Sequence, residues 1–149
     1  MQNDQIYSEI INFVSTRDDV LNIENDLDLL EKSIYEEKEN FDFVLKNKIK
    51  KTFADTISKL TEGQNKEEVI KKIKEFLEKI EFLEITIPKE PSEILIEKIT
   101  NWLQKNTDHK IALDIKVDPK IIAGATFSYK GKFFDGSINK LINETLNSF

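Results

Sequence analysis

Apolar positions recur at intervals of three and four through residues 6–83 and at intervals of two thereafter. Ile6, Ile10 and Phe13, with Val14 beside them, mark one face of a short helix. Val20, Ile23, Leu27, Leu30 and Ile34 fall on a single stripe of a second helix, while Glu24, Asp26, Asp28, Glu31, Glu36 and Glu37 take the remaining positions. A third run, Phe41, Leu45, Ile49, Phe53, Ile57 and Leu60, predicts one helix ending at Gly63, since glycine readily takes the left-handed conformation that terminates helices. Val69, Ile73, Phe76, Ile80 and Leu83, reinforced by Ile70 and Leu77, make a fourth. No proline interrupts these runs. Each stripe is too narrow for burial on all sides, so each helix must pack against its neighbours. Short connections at residues 16–18, at Asn40 and at residues 63–65 favour an antiparallel helical bundle. The alternative, one long coiled coil, is disfavoured by the frequency of the breaks.

Leu83, Ile85 and Ile87 alternate with Glu84 and Thr86, the period of a half-buried strand, and Pro88 ends it. Pro91 predicts a helix start, where its missing N–H costs nothing. That helix is expected to turn Ile94, Leu95, Ile99, Trp102 and Leu103 inward and to end near residues 106–108. A second strand follows, with Ile111, Leu113, Ile115 and Val117 on one face and Asp114 and Lys116 on the other. Asp118-Pro119 turns the chain, because proline fixes its own φ and restricts its predecessor. Residues 122–129 and 132–134 read as two strands joined at Lys130-Gly131, a glycine-bearing hairpin turn. The small run Ala123-Gly124-Ala125 permits another backbone to approach closely. Asp135-Gly136-Ser137 ends the hairpin and opens a last helix carrying Ile138, Leu141, Ile142, Thr145 and Leu146, with Asp135 or Ser137 as its N-cap. The expected fold is therefore α+β: an N-terminal antiparallel helical bundle over residues 1–82, then a small β-α-β-β-β-α unit over residues 83–149.

Composition narrows the function. With 28 acidic against 22 basic residues and a net charge of −6, the chain lacks the basic face of a nucleic-acid platform. Without cysteine it has no disulfide framework, thiol nucleophile or thiolate metal site. The opening stretch MQNDQIYSEI has neither the basic start nor the apolar core of a secretory signal, so an intracellular protein is expected. Arg17 is the sole arginine; the cations are otherwise lysines, which argues against a phosphate-gripping site.

Candidate chemistry is sparse. Asp118 and Asp135 could be imagined as an acid/base pair, but each adjoins a proline or glycine at an element boundary and reads as a turn or cap. His109 has no partner nearby in sequence and is expected in solvent. Lys46, Lys48, Lys50 and Lys51 read as a solvated helix face, and Trp102 as a core anchor. Tyr129-Lys130-Gly131-Lys132 lacks the glycine spacing of a phosphate loop. No catalytic, cofactor or metal residue is assigned. Val14, Val44, Ile96 and Phe149 lie off the main stripes and are candidates for a partner-facing surface.

The run KIALDIKVDPKIIAGATFSYKGKFFDGSINKLINETL resembles the C-terminal end of the delta subunit of F-type ATP synthases, the oligomycin-sensitivity-conferring protein of mitochondria. Val117, Asp118 and Pro119 stand at the family's first triplet, Asp135, Gly136 and Ser137 at its second, and Gly124 at the second of its paired glycines, with Ala123 replacing the first. The early part matches less: the family's N-terminal part is usually a six-helix bundle, and only Tyr7-Ser8 hints at its Tyr-Ala motif. The resemblance implies a non-catalytic stator in the peripheral stalk. Its implied partners are the N-terminal helices of the alpha subunits, bound by the first half, and the C-terminus of the b subunits, bound by residues 83–149. It further implies a monomer within a hetero-oligomeric complex, held at the cytoplasmic face of a bacterial inner membrane only through those partners, with no nucleic acid and no cofactor. Two other classes compete: a free-standing helical adaptor, and a small enzyme using carboxylates in a cleft.

Overall fold

The structure, a computed structural model, describes residues 2–136. Contacts divide the chain into two units, one of Met1–Val14 with Asp18–Ile80, the other of Ser15–Arg17 with the chain from Glu81 onward.

The first unit is helical: α1 (Gln2–Ile10) continued by a 3-10 turn (Ile11–Phe13), α2 (Arg17–Ser33), α3 (Phe41–Asn47), α4 (Lys51–Thr61) and α5 (Lys66–Leu77). Local chemistry sets the starts. The Asn40 side-chain oxygen accepts from the Phe43 N–H at 3.0 Å, and that of Asn65 accepts from the Glu68 N–H at 3.2 Å, each satisfying a donor that a helix start would otherwise orphan. Ile10, Leu27, Leu30, Ile57, Ile70 and Ile73 are completely buried. Tyr7 stacks on Phe76 with centroids 5.0 Å apart, and the edge of Phe13 meets Phe53 at 5.3 Å. Lys74 joins α5 to α2 through Asp28 at 2.7 Å and Glu31 at 2.6 Å.

The expected third helix is two. The chain breaks between Asn47 and Lys51, and the inward residues are Phe41, Val44, Ile49 and Phe53, with Leu45 only half-buried. Val44 and Ile49 are five positions apart, an offset of about 140° on a continuous helix. The break brings both to the core. Val44 and Val14, taken from sequence as partner-facing, are both buried.

The second unit holds β1 (Glu81–Ile87), α6 (Glu93–Asn106), β2 (Ile111–Val117), β3 (Thr126–Tyr129) and β4 (Lys132–Asp135). The strand order is β2-β1-β3-β4. β1 and β2 run parallel from Glu81↔Ile111 to Ile87↔Val117, as a pair joined through a helical crossover must. β3 lies antiparallel to β1, with Ile85 opposite Phe127, and β4 antiparallel to β3, with Phe127 opposite Phe134. One sheet face carries Leu83, Ile85, Ile87, Ile111, Leu113, Ile115, Phe127 and Tyr129, and these pack with Ile96, Ile99 and Leu103 of α6 and with Ala125. The hairpin turn takes φ of +49° at Lys130 and +76° at Gly131, the paired positive values of a two-residue turn matching strand twist.

Four details depart from the sequence reading. Pro91 precedes the helix instead of starting it; Ser92 is the N-cap, its hydroxyl accepting from the Leu95 N–H at 3.2 Å. The strand expected from Ile122 begins at Thr126, and residues 121–125 form a loop in which Gly124 has φ +86°. Ile94 (65% exposed), Leu95 and Trp102 (63% exposed) face outward, whereas Ile96, expected off the stripe, packs into the core. The buried companion of Leu103 is Thr100, whose hydroxyl donates to the Ile96 carbonyl at 3.0 Å and so needs no other partner. The predicted last helix, Ser137 and Phe149 lie outside the described residues.

The chain also makes an early visit to the sheet. The Leu113 N–H donates to the Ser15 carbonyl at 2.9 Å, and Thr16 forms a parallel bridge with Leu113 on the outer edge of β2. Arg17 then lays its guanidinium 3.9 Å from the Phe82 ring centroid and places Nε 2.9 Å from Asp114 Oδ2.

Candidate functional site: an apolar groove beside α6

A four-stranded sheet spans about 14 Å between its outer strands, and one helix with its side chains covers about 10–12 Å. α6 links β1 to β2 and packs over that side, so the β3–β4 side of the same face is left to other cover. Along that boundary lies an open groove of about 520 Å³, lined by Leu83 of β1, Lys98, Ile99, Trp102 and Leu103 of α6, and Phe127 of β3. Phe134 of β4 extends the apolar floor, its ring centroid 6.4 Å from that of Phe127 and its side chain 65% exposed.

The groove follows from sequence spacing. Ile96, Ile99, Thr100 and Leu103 occupy the helix stripe that meets the sheet, while Ile94, Leu95 and Trp102 form a second apolar stripe. A helix with two apolar stripes has one to spare. Leu83 and Phe127 are side by side because β1 and β3 are neighbours and both residues stand on the α6 face. Lys98 is the one charged residue among the described lining. Such a surface, apolar but for one ammonium, can bury an apolar ridge, in the way a hydrophobic groove accepts one face of an amphipathic helix. Among the described residues no group of three or more His, Asp or Glu is placed to hold a metal ion, and no helix is long and apolar enough to cross a membrane.

The residues singled out from sequence lie elsewhere, at the end of the sheet where β2 finishes, β3 begins and β4 finishes. Val117 closes β2. The Asp118 N–H donates to the Ile87 carbonyl at 2.9 Å, its carboxylate accepts from the Lys120 N–H at 3.0 Å, and its carbonyl accepts from the Ile121 N–H at 3.1 Å. Asp118 and Pro119 thus build a turn. Gly124 supplies a positive φ in the loop that follows. Asp135 ends β4 opposite Thr126, and the Gly136 N–H donates to the Ala125 carbonyl at 2.9 Å. A Cβ at Gly136 would lie 3.2 Å from that carbonyl oxygen, so the glycine lets the chain pass close to the Ala125 backbone. Trp102 and Phe134 were missed as site residues. A signal was present, because Ile94, Leu95 and Trp102 could not share one face with Ile96, Ile99 and Leu103.

A family model described as ATP synthase delta (OSCP) subunit matches residues 68–148. The chain is 42% identical over 52 residues to the ATP synthase subunit delta of Citrifermentans bemidjiense, a stretch covering 35% of this chain and 28% of that protein. To the ATP synthase subunit delta of Geobacter sp. strain M21 it is 44% identical over 43 residues, covering 29% of this chain and 24% of that one. The aligned part thus spans about a quarter of these relatives' length. Among solved structures, it is similar to a chain of the Polytomella F-ATP synthase in a primary rotary state, with TM-score 0.38, 20% identity, 46% of this chain and 89% of that chain covered. A chain of the Toxoplasma gondii mitochondrial ATP synthase hexamer gives TM-score 0.40 and 15% identity, with 95% of this chain and 76% of that chain covered.

Proposed function

The chain belongs to the ATP synthase delta (OSCP) subunit family, and from that premise we propose that it serves as a non-catalytic stator in the peripheral stalk of a rotary F-type ATP synthase, supporting proton-driven ATP synthesis. In this reading the helical unit holds the N-terminal helices of the alpha subunits, and the sheet unit holds the C-terminus of the b subunits. The protein works as a monomer within the hetero-oligomer and meets the cytoplasmic face of a bacterial inner membrane only through its partners. Its landmark residues within the described chain, Val117, Asp118, Pro119, Gly124, Asp135 and Gly136, act by shaping bends.

The observation that carries the reading is the groove of Leu83, Ile99, Trp102, Leu103 and Phe127, which falls inside the stretch the family model matches. A stator contact must resist torque without dissociating, and an apolar ridge seated in a groove does so without any covalent step. Covering the exposed part of Trp102 alone contributes about 3 kcal/mol before the costs of association.

Trp102 is the chain's only tryptophan, so its emission reports on the groove directly. Titrating the full chain with a peptide from the C-terminal end of the same organism's b subunit is expected to shift that emission to the blue, and calorimetry to give a matching isotherm. A peptide from the N-terminal end of the alpha subunit is expected to bind without moving the emission. Heatless, unshifted titrations with both peptides would overturn the stator reading.

A further inference from the structure

At the opposite end of the sheet from the turn of Asp118, five polar side chains converge. His109, in the loop before β2, places Nδ1 2.6 Å from Asp108 Oδ1 and Nε2 2.9 Å from Glu81 Oε2. The Tyr129 hydroxyl donates to the same Glu81 oxygen and lies 3.2 Å from His109 Nε2. Lys130 places its ammonium 2.9 Å from the other oxygen, Glu81 Oε1. Glu81 opens β1, Tyr129 closes β3 and Lys130 begins the hairpin turn, so the cluster ties β1, the loop before β2, the end of β3 and the hairpin turn together.

We propose that His109 is a protonation-dependent clamp, holding the β3–β4 hairpin turn against the starts of β1 and β2. This inference is independent of the stator reading.

The geometry selects the charged ring. A neutral imidazole has one N–H and one lone pair, whereas here both ring nitrogens face carboxylate oxygens. Only the imidazolium can donate to both. The groups facing the ring are Asp108 from its own loop, Glu81 from β1 and Tyr129 from β3, while Lys130 is balanced against the far oxygen of Glu81. Once His109 loses its proton, two carboxylates share the site with one ammonium, and one of them faces a lone pair.

The hairpin has reason to need holding. Lys130 is the only non-glycine among the described residues with positive φ, a conformation that a side chain with a Cβ resists. Its ammonium is tied to Glu81, and Tyr129 packs on the sheet's apolar core. The bonds to Asp108 and then to Glu81 hold the His109 pKa above its ordinary 6.5. A group whose pKa is raised on folding contributes stability that is complete below the unfolded value and is lost as pH climbs through the folded one. The clamp therefore loosens as pH climbs through that raised pKa.

His109 is the sole histidine, so its ring C–H resonances titrate in isolation in the full chain. Between about pH 5 and 9 the ring is expected to titrate above 6.5, and the amides of residues 129–132 to shift with the same midpoint. Glu81→Gln should lower that midpoint, and His109→Gln should abolish the shared amide response. A ring midpoint at or below 6.5, or hairpin amides that ignore the ring's titration, would overturn the clamp. The wild-type titration decides even if a variant fails to fold.

Discussion

The two units use their apolar residues differently. In the helical unit the centres of the stripes are buried: Ile10, Leu27, Leu30, Ile57 and Ile73 are completely enclosed, and even Val14 and Val44, read as spare, are consumed, while Leu21, Leu29, Tyr35 and Phe43 stay exposed. In the sheet unit Leu113 and Ile85 are enclosed, yet Ile94, Trp102, Ile122, Phe133 and Phe134 remain largely in solvent. Monomers do scatter single apolar residues over their surfaces, so exposure alone proves nothing. Trp102 and Phe134 differ in belonging to one continuous apolar stretch, through Ile99 and Phe127, that runs from helix to sheet. A buried apolar residue in the first unit reports on folding, and a groove residue in the second reports on the proposed docking surface.

That contrast can be broken by mutation. The largest effect is expected from Ile73→Ala in the helical unit and Leu113→Ala in the sheet unit, each losing about 3 kcal/mol because the vacated volume cannot collapse. Urea unfolding measures it, and equal losses would show both cores to be close-packed. Trp102→Ala should behave oppositely, leaving the urea midpoint nearly unmoved while weakening capture of the b-subunit peptide by about tenfold or more. A large stability loss at Trp102 would erase the distinction between the two units. Smaller effects belong to the frame of the groove. Ser92→Ala removes the cap of α6 and should cost about 1 kcal/mol. Gly131→Ala should cost a similar amount, about 1 kcal/mol, through the positive φ alone, since nothing lies within 4 Å of the added Cβ. The smallest is electrostatic. Bonds from Tyr129 and Lys130, and then His109, hold the Glu81 carboxyl at about 2 against an ordinary 4.5. A depressed carboxyl contributes stability above its unfolded value that disappears as pH falls toward the folded one. Acid titration of the wild type should therefore show a loss between those values that Glu81→Gln lacks.

Periodicity made the elements legible, and with them the α+β class, because a helix or strand with one wet side must repeat its apolar positions. What it missed were choices made by packing. Leu45 and Ile49 are spaced for one helix, and nothing local announces that Val44 is preferred and that the chain breaks after Asn47. On α6 Ile94, Leu95 and Trp102 are as apolar as Ile96, Ile99 and Leu103 but lie on a different stripe, which an apolar count does not separate. Thr100 is inward because its hydroxyl is satisfied by its own helix, which a hydropathy pattern scores as an outward residue. The landmark triplet around Asp118 was readable because turns are written in consecutive residues. The distant partners of His109 were not, since Glu81 and Tyr129 stand 28 and 20 positions away and only strand pairing brings them together, although Asp108 adjoins it.

The bridge between Thr16 and Leu113 means that sequence order and structural membership disagree over three residues. Cutting the chain before Glu81 to obtain the sheet unit alone would leave Ser15–Arg17 behind. Such a fragment would bare the outer rail of β2, with the Leu113 amide seeking a new acceptor and Asp114 deprived of its guanidinium. Naked strand rails recruit one another into aggregates. Poor solubility of that fragment would reflect a missing tripeptide distant in sequence, and adding it back as a short tethered strand is the remedy the fold itself suggests.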